Sequence, residues 1–385
     1  MISPVSISSK LPQVGTTIFS VMSKMAADHG AINLAQGFPD FEIDPDLISL
    51  VTKHMQAGHN QYAPMQGVPA LRNAISAKIA RTYGRSYNPE TEITVTAGAT
   101  QAIYTAITAL VRDEDEVIVF TPAYDCYVPP IILNHGKPVF VQMHAPEYRV
   151  NWDEVRKVVT RRTKLIIINT PHNPSGTIWN DKDMRELEKL AVDSDALVLS
   201  DEVYEHIVFD GAIHHSAARY EELAKRSLIV ASFGKTFHAT GWKTGYIYGP
   251  QNLMSEFRKV HQYLIFSINT PMQYALAEYI EKPERYEGLA KIYEQKRDVF
   301  LEAIEPSRFL PIPKSQGTYF QLLSFAKISK KKEVQYAELL TKKFGVAAIP
   351  VSVFYHQPLE QHVLRFCFAK SDSTLEQAAK LLNEI

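Results

Sequence analysis

Cysteine is nearly absent, with only Cys126 and Cys367 in 385 residues. Two thiols make no disulfide framework, so a hydrophobic core has to hold the fold, and a reducing compartment is the natural setting. Neither sign of charge is in excess. The 41 Lys and Arg residues stand against 42 Asp and Glu, a formal net charge of −1. Such a chain has no general basic face to displace counterions, which argues against a nucleic-acid partner. No uninterrupted apolar run reaches the length of a bilayer span. Positions 1–11 lack the basic-then-apolar pattern of a secretory leader. A soluble cytoplasmic protein with no membrane partner is therefore expected. Internal repeats and low-complexity segments are missing, and so is a G-x-G-x-x-G turn, which leaves dinucleotide binding without support. No metal site is expected.

What the chain does have is an ordinary apolar fraction, 45%, at a length sufficient for a large domain and a smaller one. Helical spacing marks 18–27, 46–57 and 69–83. From about position 92 the texture becomes strand, turn, helix. Short β-rich runs fall at 92–96, 116–120, 138–143, 165–169, 196–200, 228–232 and 245–249, with helical segments between several of them. Strands with little alternation, separated by helices, predict an α/β fold with a mostly parallel sheet covered on both faces. Past about 271 a long amphipathic stretch, 273–305, reads as a domain-bridging helix pair. Shorter strands at 318–323, 346–349 and 363–368, and helices at 334–344 and at the C-terminus, then read as a smaller α+β unit. The expected division is an N-terminal arm over 1–42, a large domain over 43–272 and a small domain over 273–385.

The unusual polar residues collect at predicted strand ends, where ligands of open α/β sheets bind. Ser232-Phe233-Gly234-Lys235 follows the buried run 227–231, and Lys243 lies close by. One lysine here can bond a carbonyl while hydroxyls and the second lysine hold a phosphate, a pairing suited to pyridoxal 5′-phosphate (PLP) held as a Schiff base on Lys235. Two solvated lysines on a Gly-rich loop are the plainer alternative. Gly98-Ala99-Thr100 opens a helix after a strand, a phosphate-binding arrangement or an ordinary connection. Asn173, in Asn169-Thr170-Pro171-His172-Asn173-Pro174-Ser175-Gly176, can donate to a phenolate oxygen or simply shape a turn. Asp201 ends an apolar run and needs a cationic partner, which a protonated pyridine nitrogen would be. Tyr204, three residues on, can bond the phenolic oxygen of the same ring; a helix cap and a core tyrosine are the alternative. Arg365, inside Val363-Leu364-Arg365-Phe366-Cys367-Phe368, calls for a carboxylate, either of this chain or of an amino-acid substrate.

Taken in order, these segments resemble the class I/II aminotransferases of PLP fold type I, over nearly the whole chain. Asn33-Leu34-Ala35-Gln36-Gly37-Phe38-Pro39-Asp40-Phe41, Asn60-Gln61-Tyr62-Ala63-Pro64 and the stretch 347–355 are similar to bacterial methionine aminotransferases and to kynurenine/glutamine aminotransferases. The resemblance implies PLP as cofactor, Lys235 as the base that moves a proton, and Arg365 with the Gly37 backbone on the substrate α-carboxylate. It implies that Tyr124 stacks on the cofactor, and that Tyr62 reaches the phosphate of a neighbouring subunit in a homodimer with shared sites. Phe19, Phe38, Tyr124, Phe354 and Tyr355 are implied as an apolar wall for the substrate side chain. Many relatives carry arginine where this chain has Lys243, which supplies charge without a fork. The implied reaction moves the amino group of methionine, or of another large uncharged or aromatic amino acid, to a 2-oxo acid. Segment 263–271 contains no arginine for a second carboxylate. A cysteine-conjugate β-lyase would use the same residues. A non-catalytic effector-binding module on this fold is the remaining reading.

Overall fold

The computed structural model describes residues 7–385, so the first six positions of the expected arm and of the leader test lie outside the described residues. The centre is a seven-stranded sheet. Ile93–Thr96 lies at one edge, followed by Gly245–Tyr248, Ser227–Ser232, Leu197–Asp201, Thr163–Asn169 and Glu116–Thr121, with Lys137–Gln142 at the far edge. The strands from Ser227–Ser232 to Lys137–Gln142 pair in parallel; Gly245–Tyr248 is antiparallel to both of its neighbours. The expected spans match these strands to within one or two residues. A purely local reading cannot supply the reversal at Gly245–Tyr248, because strand direction is set by the connections.

Both faces of the sheet are covered, and the residues show it by alternation. Val117, Val119, Leu165, Ile167, Leu228 and Val230 belong to one apolar cluster. Their chain neighbours Ile118, Phe120, Ile166, Ile168, Ile229 and Ala231 belong to the other. Side chains along a strand point to opposite faces, so strands buried on both sides read as unbroken apolar runs. The first face is covered by helix Gly98–Leu110, with helix Gln251–Leu264 packed against it. The second face is covered by helices Pro69–Tyr83 and Thr270–Ile280. Pro69–Tyr83 has proline in its first turn and Gly84 closing it at φ 73°. A fixed φ starts a helix and a left-handed glycine ends it, so both ends were set by local chemistry.

The four-stranded sheet runs Ile349–Pro350, Val363–Cys367, Phe320–Ser324, Leu310–Pro311. Near it, Ile32–Asn33 pairs in parallel with Val346–Ala347, tying the N-terminal segment to the C-terminal part. The long helix pair expected over 273–305 is three pieces: Thr270–Ile280, Glu284–Glu287 and Leu289–Ala303. Pro283 explains the break, since it offers no N–H to continue a helix. Position 272 falls inside Thr270–Ile280, which packs against Pro45–Gln56 and Pro69–Tyr83. Among the described residues, no helix is long and apolar enough to cross a membrane.

Candidate active site

Sheet register brings the site together. Asn169 and Asp201 are cross-strand partners at the carboxyl ends of their strands, and Ser232 ends the next strand. Because Gly245–Tyr248 runs the opposite way, its beginning lies at that same edge; Ser232 pairs with Gly245, and Lys243 and Thr244 arrive just before it. Gly245 has to be glycine, because a Cβ there would sit 2.7 Å from the Ala231 carbonyl and 3.2 Å from Gly98. That close approach sets helix Gly98–Leu110 at the edge with its N-terminus toward the cleft.

The cleft so formed has a volume of about 270 Å³. Its lining includes Phe19, Gly37, Phe38, Gly98, Ala99, Thr100, Tyr124, Asn173, Asp201, Tyr204, Ser232, Lys235, Lys243 and Arg365. Thirteen positions intended for substrate, cofactor or catalysis thus meet in one space, and Phe38 of the apolar wall joins them. Gln36, Asn169, Val203, Thr240, Thr244 and Phe320 line it too and were not anticipated. Three residues stand apart. Phe354 is behind the wall, its ring 5.9 Å from Phe19 and 5.5 Å from the Arg365 guanidinium carbon. Tyr355 is buried, with its hydroxyl donating to the Met143 carbonyl at 2.8 Å and accepting from Gln361 at 2.8 Å; its packing elsewhere removes it from the wall. Tyr62 is 83% exposed, away from the cleft of its own chain.

Lys235 sits in the short helix Phe233–Thr236 directly after the strand Ser227–Ser232. Its Nζ donates to the Tyr319 hydroxyl at 2.9 Å and to the Gly37 carbonyl at 3.2 Å. Burial brings its ammonium down to about 8, with the cations Arg365 and Lys243 acting in the same direction. Asp201 is 4% exposed. Its Oδ2 accepts from the Tyr127 hydroxyl at 2.6 Å. Burial pushes the carboxyl up to about 6, with that hydrogen bond opposing. Tyr127 was not anticipated; it lies in an Asp-Cys-Tyr-Val-Pro-Pro stretch that reads as a turn and a core ring.

Arg365 is 1% exposed. Nη1 donates to Asn173 Oδ1 at 2.7 Å and Nη2 to the Ala35 carbonyl at 3.0 Å. Both acceptors are neutral. The guanidinium lies 3.9 Å over the Phe320 ring, and among the described residues its buried Nε has no hydrogen-bond partner. A buried cation with an open donor, on the wall of a cleft, is built to meet an anion. At the other end, helix Gly98–Leu110 has no side-chain cap, so its first N–H groups are free donors with the positive end of the dipole behind them. Lys243 Nζ lies 3.5 Å from where a Gly98 Cβ would be. Uncapped N–H groups, an ammonium and the Ser232 hydroxyl make a donor set that fits a phosphate. With Lys235 able to bond an aldehyde and Asp201 placed for a ring nitrogen, the residues present fit PLP.

Comparison with known proteins agrees with this geometry. The family described as aminotransferase class I and II matches residues 29–382, and the chain belongs to that family, whose cofactor is PLP. It is 48% identical over 378 residues to a methionine aminotransferase of Escherichia coli K12, covering 98% of each chain. It is 33% identical to a kynurenine–oxoglutarate transaminase of Dictyostelium discoideum, covering 94% of this chain and 93% of that one. A crystal structure of an E. coli protein identified as having a methionine aminotransferase function superposes with a TM-score of 0.97 at 48% identity, over 99% of this chain and all of the other. The expected α/β fold of type I and the aminotransferase resemblance both hold.

Proposed function

We propose that this chain is a PLP-dependent methionine aminotransferase that passes the amino group to a 2-oxo acid. The observation carrying the reading is Arg365: a buried guanidinium facing neutral acceptors, with an unpartnered Nε, in the same cleft as Lys235. That arrangement suits a substrate bearing a carboxylate beside the reacting amine. The 48% identity to a methionine aminotransferase supports the choice of donor.

When bound, PLP supplies a conjugated electron sink for the substrate amine. The chain supplies the rest. Arg365 and Asn173 hold the α-carboxylate, with the Gly37 segment closing over it. Free of its covalent bond, Lys235 takes the proton from the substrate α-carbon and returns it, and an amine near 8 is well placed to do both. Asp201, held by Tyr127, would keep a proton on the ring nitrogen. Tyr204 and Asn173 would hold the phenolic oxygen. Gly98, Ala99, Thr100, Ser232 and Lys243 would take the phosphate, and Tyr124 would supply an aromatic face to the ring. The phenyl of Phe19 lies 6.2 Å from the Tyr124 ring and 5.9 Å from Phe354. This apolar, polarizable wall suits a thioether or an aromatic side chain. Kynurenine and phenylalanine are secondary donors on the same ground.

We further infer a cytoplasmic homodimer that shares its sites. Tyr62 is 83% exposed and packs edge-on against Phe266, itself 48% exposed, at 5.4 Å, with Tyr263 87% exposed on the same segment. Exposed aromatic clusters of this kind mark contact surfaces, and such a contact lets Tyr62 reach the phosphate end of the partner's cleft. The free cysteines Cys126 and Cys367 fit a reducing compartment. The decisive experiment is a panel of amino donors against several 2-oxo acids. Methionine and large apolar donors should lead, and a kcat/KM for aspartate equal to or above that for methionine would overturn the reading.

A further inference from the structure

Lys235 Nζ is held from one side by two oxygens. It donates to Tyr319 at 2.9 Å and to the Gly37 carbonyl at 3.2 Å, and the Tyr319 hydroxyl itself donates to that carbonyl at 2.7 Å. The direction of these bonds matters. With its single proton committed to Gly37, Tyr319 can only accept from Lys235. A neutral amine has two N–H bonds and one lone pair. Two acceptors on one side take both N–H bonds, so the lone pair is left pointing away from them, into the cleft that Lys235 lines. Were Tyr319 to donate to Nζ instead, that lone pair would be blocked.

The holder is rigid. Tyr319 is fully buried. Its ring stands edge-on to Tyr204 at 5.2 Å and lies 5.7 Å from Tyr293 and 4.9 Å from Phe320. Gly37 is pressed against the same group: a Cβ there would meet Phe320 at 2.6 Å and Tyr319 at 3.5 Å. Any larger residue would have to displace the Phe320 ring, on which the Arg365 guanidinium rests, or shift the Gly37 backbone.

We infer that Tyr319 is a positioning residue for transamination: its phenol oxygen and the Gly37 carbonyl receive the free ε-amine of Lys235 and aim its lone pair at the substrate α-carbon. In the proton transfer the lone pair takes the α-proton and becomes the third N–H of an ammonium. The other two N–H bonds stay on Tyr319 and Gly37, and the electron pair left on carbon passes to the bound cofactor. Returning the proton reverses this without moving Nζ.

The inference rests on Lys235 as the base, and its test is arranged so that the two fail separately. The full-length chain is loaded with pyridoxamine phosphate, which leaves the Lys235 amine free. The pH dependence of trace acetylation at Lys235 is then read by mass spectrometry in wild type and in Tyr319→Phe. Removing an acceptor from the ammonium should lower the Lys235 midpoint by about one unit. Turnover of methionine should show kcat reduced about 10- to 100-fold with KM little changed. Replacing Tyr319 by 3-fluorotyrosine keeps the ring and hydroxyl with a weaker acceptor, and should shift the midpoint partway in the same direction, even if Tyr319→Phe folds poorly. An unchanged midpoint in these variants, with or without a lower melting temperature, makes Tyr319 a packing residue and overturns the inference. The base assignment fails by a different result: Lys235→Ala that still exchanges the methionine α-hydrogen with solvent at the wild-type rate.

Discussion

Replacing Arg365 by lysine keeps the positive charge and removes the fork. In the structure the two Nη atoms are occupied, by Asn173 Oδ1 at 2.7 Å and the Ala35 carbonyl at 3.0 Å, while Nε has no partner. The planar head also rests 3.9 Å over Phe320. A guanidinium can keep those neighbours and still present N–H groups to a carboxylate. An ammonium has three donors on one atom and cannot span the same positions. The variant should lose about one charge-assisted hydrogen bond to the substrate, ~1.5–3 kcal/mol. At about 1.4 kcal/mol per decade that is roughly 12- to 140-fold in kcat/KM for methionine. A comparison of substrates isolates the cause. 3-(Methylthio)propylamine is methionine without its carboxylate, so its half-reaction rate should be the same in Arg365→Lys and wild type to within about twofold. 4-(Methylthio)butanoate keeps the carboxylate without the amine, so its inhibition constant should rise by the full 12- to 140-fold. Equal losses on methionine and on the carboxylate-free amine would refute the assignment, because the variant would then have disturbed the cleft rather than one contact.

Two further outcomes test features away from that contact. Lys78 and Glu205, both buried, pair at 2.5 Å, with Tyr246 accepting from Lys78 at 2.8 Å and Tyr83 donating to the carboxylate. Glu205→Gln leaves a buried ammonium without its counter-charge and should cost about 3 kcal/mol in urea unfolding; a loss below ~1 kcal/mol would contradict the pairing. The Glu205 carboxyl is held down at about 2, from an ordinary 4.5, chiefly by Lys78 against the opposing effect of burial. A lowered folded value means its stabilisation is complete above pH 4.5 and is lost as pH falls toward 2, so this part of the acid limb should vanish in the variant. Mixing Tyr62→Phe and Lys235→Ala protomers tests shared sites. In a heterodimer the single Lys235-bearing site receives Tyr62 from its partner, so it should retain PLP as wild type does; retention at the Tyr62→Phe level throughout would place Tyr62 in its own subunit's site.

Much of this was legible because the chemistry lies where the chain punctuates itself. Asp201 and Ser232 end apolar runs, Lys235 follows one within a few residues, and Arg365 interrupts one. Each is a polar residue where a buried strand offers no solvent, and that local contradiction is the signal. Tyr127 and Tyr319 lack it. An aromatic in a Pro-rich turn, or in Gly317-Thr318-Tyr319-Phe320, is an ordinary core residue until the fold aims its hydroxyl. Lys78 gives no such local signal within its helix, and its partner Glu205 is 127 residues away. The reversal of Gly245–Tyr248 is not local either, yet it is what places Lys243 beside Gly98. Pro283, by contrast, was in plain view: it fixes where the expected helix pair divides, and the short piece Glu284–Glu287 that it opens is what the pair did not include.

The charges lining the cleft explain why one reaction class and one side-chain class go together. Lys235, Lys243 and Arg365 face a single carboxylate, Asp201. On the proposed roles, with Lys235 held covalently, two fixed cations remain: Lys243 beside the uncapped helix start and Arg365 beside Asn173. One matches a phosphate and the other an α-carboxylate, while Asp201 matches a protonated ring nitrogen. That accounts for every charged side chain in the lining. A second substrate carboxylate, as in aspartate, would lie against Phe19 and Tyr124, with no further cation in the cleft lining of this chain. An unpaired buried charge of that kind costs about 2–5 kcal/mol, or roughly 30- to 4,000-fold in kcat/KM. Discrimination between methionine and a larger apolar donor is weaker by nature, about 1–3 kcal/mol per methylene of misfit. The cleft therefore excludes by charge far more sharply than it selects by shape, and a preference for methionine over phenylalanine has to come from how closely Phe19, held between Tyr124 and Phe354, packs on an unbranched thioether.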